Sequence, residues 1–282
     1  MKRMDRKVYI KSMAQISRLQ PDPDYGSLFS VMEARRMSRL MKRAVAVSHD
    51  ALAQAGLSVP DAVIAGTGLG CIENTELFIR SLTGLSDTPL RPTHFMQSTH
   101  NTIASLIAIR LKCHGYNATY SHLGISFESA LLDAILLLKS GRVRNALVGA
   151  FEEMTPDFAR ILNKGGYAVP TEDPLSETAV AMVLDTDPEA ALCELTEVRL
   201  GFPAETDPSC PAVTDPSCPA VTGHLARPDY VARYGDNFSV SALGACDAVG
   251  LIAAGTYPAV CLENDFYGKS FATVLFKSVC GR

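Results

Sequence analysis

No tryptophan occurs among the 282 residues, and tyrosine and phenylalanine bring the aromatic content to only 7%. With so few flat rings there is little for unstacked bases to lie on, and a formal net charge of −4 gives no general attraction to a phosphate backbone or an anionic bilayer. Neither nucleic acid nor a membrane is therefore expected as a partner. No apolar run approaches bilayer-spanning length, and the basic start MKRMDRKVYIKSMAQIS lacks the apolar stretch of a signal peptide, so a cytoplasmic location is expected. The eight cysteines form no CxxC and no metal-ligand spacing with histidine. They read as reduced thiols acting as small apolar residues, and no metal or other cofactor is implied.

What is present points to one α/β unit. Hydrophobic residues make up 47% and charged residues 20%, ordinary values for a globular core in a chain of this length. Apolar strand-like runs at 7–12, 62–67, 116–121 and 145–151 alternate with helical patterns at 31–56, 72–83, 99–112 and 126–140. Alternation of this kind builds a mostly parallel, helix-covered sheet. Two more apolar strands, 178–185 and 191–202, meet across Asp187-Pro188 as an expected antiparallel pair. The stretch 154–176 between them and the preceding strand is rich in proline and glycine and reads as a loop.

Residues 207–222 are DPSCPAVT written twice. Two prolines per copy exclude a helix or central strand, so an exposed loop is expected, with a cysteine-bearing ligand loop as the alternative. A short helix (228–234), a small-residue helix (241–255) and two strands (257–263 and 270–278) follow. The expected organisation is 1–206 as one half, 207–222 as the repeat loop, and 223–282 as a shorter half packed in the same domain.

The segment 115–153, GYNATYSHLGISFESALLDAILLLKSGRVRNALVGAFEE, reads as strand, sharp turn, buried helix and strand. Such a turn aims the partial positive charge and unpaired N–H groups of a helix start at whatever sits there, which would activate a thiol and stabilise an oxyanion. The turn contains no cysteine. His122 is a candidate catalytic group or a solvated turn residue. Ser126 is a candidate nucleophile without an adjacent base, or the N-cap of the helix. Glu128 suits the first helical turn by charge alone. Cys71, after a strand and the glycine turn Gly66-Thr67-Gly68-Leu69-Gly70, is a spare nucleophile or a small buried residue. Arg35, Arg36, Arg39, Lys42 and Arg43 cluster within two turns, as a docking patch for an acidic protein or as a solvated helix face.

The 115–153 segment resembles β-ketoacyl synthases of the thiolase fold, with Asn117, Ser121, Ala130, Ala134, Gly141 and the run Ala146-Leu147-Val148-Gly149-Ala150-Phe151-Glu152-Glu153 in register. Similar matches run through 7–17, 34–52, 63–73 and 92–115, and weaken beyond about 202. The resemblance implies a thiolase-like layered α/β fold, a βαβαβαββ first half with a truncated second half. In that register the nucleophilic cysteine falls on Gly124. The HGTGT segment that carries one catalytic histidine of the family is absent, and Ser241 falls where the other would stand, leaving His224 as a loop residue. The resemblance therefore implies a non-catalytic, chain-length-factor-like subunit in fatty-acid or polyketide synthesis, with aryl polyenes as a candidate product. Its implied partners are an intact cysteine-bearing ketosynthase or a second copy of itself, and an acyl carrier protein. Pairing would run through strand 116–120 with Asn117 and Tyr120, and Phe95, Met96 and Phe127 would wall an acyl tunnel. The alternatives are an acyltransferase or malonyl decarboxylase using Cys71, His122 or Ser126, and an acyl-binding homodimer.

Overall fold

The computed structural model describes residues 6–84, 89–167, 169, 175–201 and 223–279. The octapeptide repeat and the expectations attached to it lie outside them. Nine strands are seen among these residues: β1 (Tyr9–Ser17), β2 (Ala62–Gly66), β3 (Tyr116–Tyr120), β4 (Asn145–Glu152), β5 (Thr178–Asp185), β6 (Cys193–Gly201), β7 (Gly223–Leu225), β8 (Ala259–Phe266) and β9 (Ser270–Lys277). They join in one sheet of order β3-β2-β4-β5-β1-β6-β9-β8-β7. Every residue of β2 and β4 is buried, which is why both read as unbroken apolar runs.

Helices α2 (Arg39–Gln54) and α5 (Thr102–Leu111) cover one face through residues such as Ala44, Val47 and Ile107. Helices α6 (Ser126–Ser140) and α9 (Ser241–Ala253) cover the other through Leu131, Leu138, Leu243 and Val249. The expected 31–56 helix is broken. Ser30 and Glu33 form a capping box that starts the four-residue α1 (Val31–Ala34), and the Ser38 hydroxyl accepts the Met41 N–H to start α2. The 154–176 stretch is likewise not all loop: Thr155 caps α7 (Pro156–Lys164). Helix α3 (Ile72–Leu82) packs beside the short α4 (Pro92–Gln97), whose proline occupies the first turn.

Two expectations about the sheet are overturned. The pairs β2·β3, β2·β4 and β7·β8 are parallel, but β1·β5, β1·β6, β4·β5, β6·β9 and β8·β9 are antiparallel, so the sheet is mixed. Nor do β5 and β6 form a hairpin, because β1 lies between them. The connection across Asp187-Pro188 is long enough to step over one strand, and the insertion gives β1 two neighbours instead of an exposed edge.

β6 belongs with the later strands, because it pairs with β9. The series β1·β5 antiparallel, β5·β4 antiparallel and β4·β2 parallel repeats as β6·β9 antiparallel, β9·β8 antiparallel and β8·β7 parallel. The sheet thus shows two related series of strands that meet at β1·β6, and the second includes β6 and β7 beside the two strands expected after the repeat. What differs lies in the middle. Between β2 and α6 the first half carries three helices and β3, whereas between β7 and α9 the second carries only α8 (Arg227–Tyr234). His224, expected in a loop, sits in β7, and its Nε2 lies 3.0 Å from a Glu263 carboxylate oxygen on β8.

Candidate functional site

The turn between β3 and α6 keeps a sharp geometry built by serines. After Tyr120 the chain enters a 3-10 turn, Leu123–Ile125, with Leu123 at φ 50°. Ser126, expected as the helix N-cap, is the first helical residue; Ile125 holds the cap position without a side-chain bond. The Ser126 hydroxyl instead accepts the His122 N–H (2.9 Å) and donates to Leu123 O (2.6 Å). Ser129 donates to Ile125 O (2.9 Å), and its hydroxyl meets His122 Nδ1 at 2.9 Å. Both serines are consumed in holding the turn, and His122 lies on the outside of it. Gly66, at the end of β2, backs the turn so closely that a Cβ there would stand 2.5 Å from Ser126 O.

The place where a side chain at 124 would project is full. A Cβ on Gly124 would stand 2.0 Å from Cδ2 and 2.2 Å from Cγ of Phe266, at the end of β8. The Phe266 ring is 1% exposed and is wedged among Phe238 (5.1 Å between centroids), Tyr267 (5.1 Å) and Tyr167 (5.8 Å), with the Arg227 guanidinium carbon 5.0 Å from its centre. Aromatic carbon therefore occupies the space that an attacking thiol and its acyl group would need.

Behind the ring runs a buried polar network. Asn264 Nδ2 donates to Gly124 O (2.7 Å) and to a Glu128 carboxylate oxygen (2.8 Å), while Asn264 Oδ1 accepts from Arg227 (2.7 Å). Arg227 also pairs with Asp236, which Tyr267 reaches through its hydroxyl. Glu128 does more than suit the first helical turn: it is fully buried, and burial raises its pKa against the Asn264 hydrogen bond and the Arg227 charge. The sequence reading missed Phe266, Asn264 and Arg227. The one available signal was an asparagine inside the apolar run of β8, followed by adjacent aromatics before Gly268.

Two more carboxyls close the site from the β4 end. Glu152 accepts the N–H groups of Gly68 (2.7 Å) and Leu69 (2.9 Å) and the Ser239 hydroxyl (3.0 Å), so the glycine turn after β2 is clamped on a side chain and is not shaped for a phosphate. Burial pushes Glu152 up to about 7 and Glu153 to about 8. Cys71 is fully buried at the start of α3, and burial together with Glu153, Glu152 and Glu73 pushes its thiol upward, the reverse of what a nucleophile requires.

The basic cluster does not form one helix face: Arg35 and Arg36 precede α2, which begins at Arg39. Arg43 is 1% exposed and pairs with Asp22 and Glu177, and Arg39 contacts the same two carboxylates. The expected tunnel residues are not brought together either. Phe95 and Met96 stand exposed on α4 (58% and 71%), whereas Phe127 is buried in the core on α6. Asn117 and Tyr120 lie on β3, the last strand of the sheet. The Tyr116 N–H donates to Asp61 O and Tyr120 O accepts from Thr67 N, both on the β2 side. By alternation the peptide groups of Asn117 and Thr119 face the open edge.

Residues 11–209 match the family model described as β-ketoacyl synthase, N-terminal domain. No curated protein matches the chain by sequence. Among solved structures, the ishigamide ketosynthase/chain length factor superposes with a TM-score of 0.75 at 16% identity, covering 97% of this chain and 99% of that one. A type II polyketide acyl-carrier protein in complex with its hexaketide-bound ketosynthase gives 0.73 at 13% identity (97% and 99% covered). A ketosynthase in complex with its chain length factor from Xenorhabdus doucetiae gives 0.62 at 15% identity (96% and 99% covered). At these identities the likeness establishes the thiolase-like fold.

Proposed function

Because the chain belongs to the β-ketoacyl synthase family, we propose that it is the non-condensing member of a ketosynthase pair, a chain-length-factor-like subunit that docks on an intact cysteine-bearing synthase and shapes its acyl channel. The observation that carries this reading is the Phe266 ring standing where a residue-124 side chain would project. Claisen condensation needs a thiolate to hold the acyl group and donors to stabilise the enolate left when malonyl thioester loses carbon dioxide. This turn offers a glycine, an aromatic wall, and histidine only on its outer side. The helix-start scaffold is kept while the chemistry is filled in.

A partner is supported by the outer edge of β3, whose peptide groups pair with no described strand, an edge of the kind that soluble proteins rarely leave uncovered. Exposed apolar residues accompany it: Phe95 and Met96 on α4, Ile109 on α5 and Leu123 in the turn. On this reading Phe95 and Met96 meet the partner's acyl channel. That one similar structure pairs a ketosynthase with its chain length factor, and another a ketosynthase with its carrier protein, supports the same assignment of synthase and acyl carrier protein as partners. The pathway is fatty-acid or polyketide synthesis, with an aryl polyene acyl chain as the proposed product.

Co-expression with a cysteine-bearing ketosynthase tests this directly. A stable one-to-one complex is expected, with ketoacyl product from malonyl-loaded carrier protein only when both subunits are present. Labelled carbon dioxide released by this chain alone, or failure of the two to co-elute, overturns it.

A further inference from the structure

We propose that the groove between the 3-10 turn Tyr25–Ser27, α1 and the start of α2 binds a small flat anion of the aromatic carboxylate class, its ring against Tyr25 and Phe29 and its carboxylate at Arg35 and Lys42. A cavity of about 640 Å³ opens there, of the size that small molecules occupy. Its walls include Tyr25, Phe29, Ala34 and Met37. The Tyr25 and Phe29 rings stand 6.1 Å apart between centroids at an angle of 54°, so a third ring entering the groove meets two inclined aromatic surfaces. Tilted and offset ring contacts are favourable beyond the area they bury.

The charges decide the sign of the ligand. Most neighbouring cations are neutralised within the chain: Arg39 and Arg43 share Asp22 and Glu177, and Arg110 pairs with Glu33 while its guanidinium carbon lies 4.6 Å from the centre of the Phe29 ring. Arg35 and Lys42 are different. Both line the cavity, and neither meets a carboxylate among the described residues; Lys42 Nζ lies instead 5.7 Å from the centre of the Tyr25 ring. Asp24, the carboxylate among the lining residues, is turned back to accept the Gly26 N–H (2.9 Å). Two cations against one committed carboxylate leave a single positive charge over, which a monoanion balances and a phosphate dianion exceeds. The guanidinium can give a carboxylate two parallel N–H groups, and the ammonium adds a point charge at the ring face. A protein surface could meet the cations alone, but a hollow walled by rings is matched by a flat group.

Titration calorimetry of the purified full-length chain with 2-naphthoate tests this, with naphthalene-2-methanol as the ring without the charge and acetate as the charge without the ring. Naphthoate is expected to bind with a Kd below about 1 mM, as a ligand of this size can, and the two controls at least roughly tenfold more weakly, the effect of losing one charge-assisted contact or the ring. Lys42→Glu and Arg35→Glu should each weaken it at least as much, whereas Lys164→Glu, an exposed lysine on α7, should leave it unchanged. With methionine methyls labelled, the bound naphthalene should show a nuclear Overhauser effect to the Met37 methyl group, assigned from its loss in Met37→Leu. No binding, equal binding of naphthalene-2-methanol, indifference to Lys42→Glu, or no effect at Met37 overturns the proposal. So does naphthoate failing to bind while Lys42→Glu weakens capture of an acidic carrier protein, or halves the mass of the chain in light scattering, since the groove then belongs to that protein or to a second copy. The proposal does not rest on the synthase reading: co-elution with a synthase is scored on its own, so either can fail while the other stands.

Discussion

Gly124→Ala isolates the conflict between residue 124 and Phe266. Gly124 does not have a positive φ, so adding a methyl group should ordinarily stabilise the protein by about 0.4–1 kcal/mol through restriction of the unfolded chain. Here the new Cβ would stand 2.0 Å from Phe266 Cδ2, whereas carbon atoms in contact settle near ~3.5 Å. The ring must therefore move by about 1.5 Å, against Phe238, Tyr167 and Tyr267 packed around it. Overpacking of this kind costs about 1–3 kcal/mol, which reverses the sign of the substitution. Urea unfolding should show Gly124→Ala less stable than wild type. In a Phe266→Ala background, itself destabilised by about 3–5 kcal/mol, the same substitution should become neutral or stabilising. Equal or greater stability of the single variant, or an unchanged cost without the ring, refutes the reasoning. Gly124→Cys adds a thiol to the same crowded space with no histidine to assist it; no ketoacyl product is expected from the isolated protein, and a measurable amount would overturn the filled-site reading.

Asn264→Ala removes a donor to Gly124 O and Glu128 and an acceptor for Arg227; with about 1–3 kcal/mol for each buried partner left unsatisfied, a loss of at least ~3 kcal/mol should appear in the denaturant midpoint. Glu153 is raised by burial from 4.5 to about 8 in the fold, so the folded state binds more protons than the unfolded chain between those limits. Stability should fall as pH rises from about 4.5 towards about 8, and Glu153→Gln should flatten that slope; stability that rises over this window would contradict it. Cys71 is fully buried and its thiol is pushed upward, so peptide mapping after iodoacetamide should find it unmodified in the native protein and modified in urea. Rapid native labelling would reopen the case for Cys71 as a nucleophile.

Much of the first half was legible because its determinants are local. The apolar periodicity of 126–140 and 145–151 gave α6 and β4 nearly to the residue, since a helix buried against a covered strand must repeat its apolar positions whatever lies further away. Pairing was less legible. An apolar run shows that a strand is buried but not which neighbour it meets, so β1 entering between β5 and β6 left no mark in either strand. Ser126 was misread for a similar reason: a serine at a helix start serves equally as cap or turn brace, and only the position of the His122 N–H decides between them.

By itself the sequence determined that residue 124 carries no nucleophile and that the α/β framework around it persists, because both follow from residue identity and short-range pattern. Only the tertiary structure decided what became of the empty place. Phe266 is 142 positions away along the chain, and no local signal says that its ring will stand over Gly124. That contact exists because β8 and β9 join the sheet and carry the strand end against the β3–α6 turn. The same long-range assembly left β3 at the edge of the described strands and Leu123 exposed beside it, positions that no local pattern assigns.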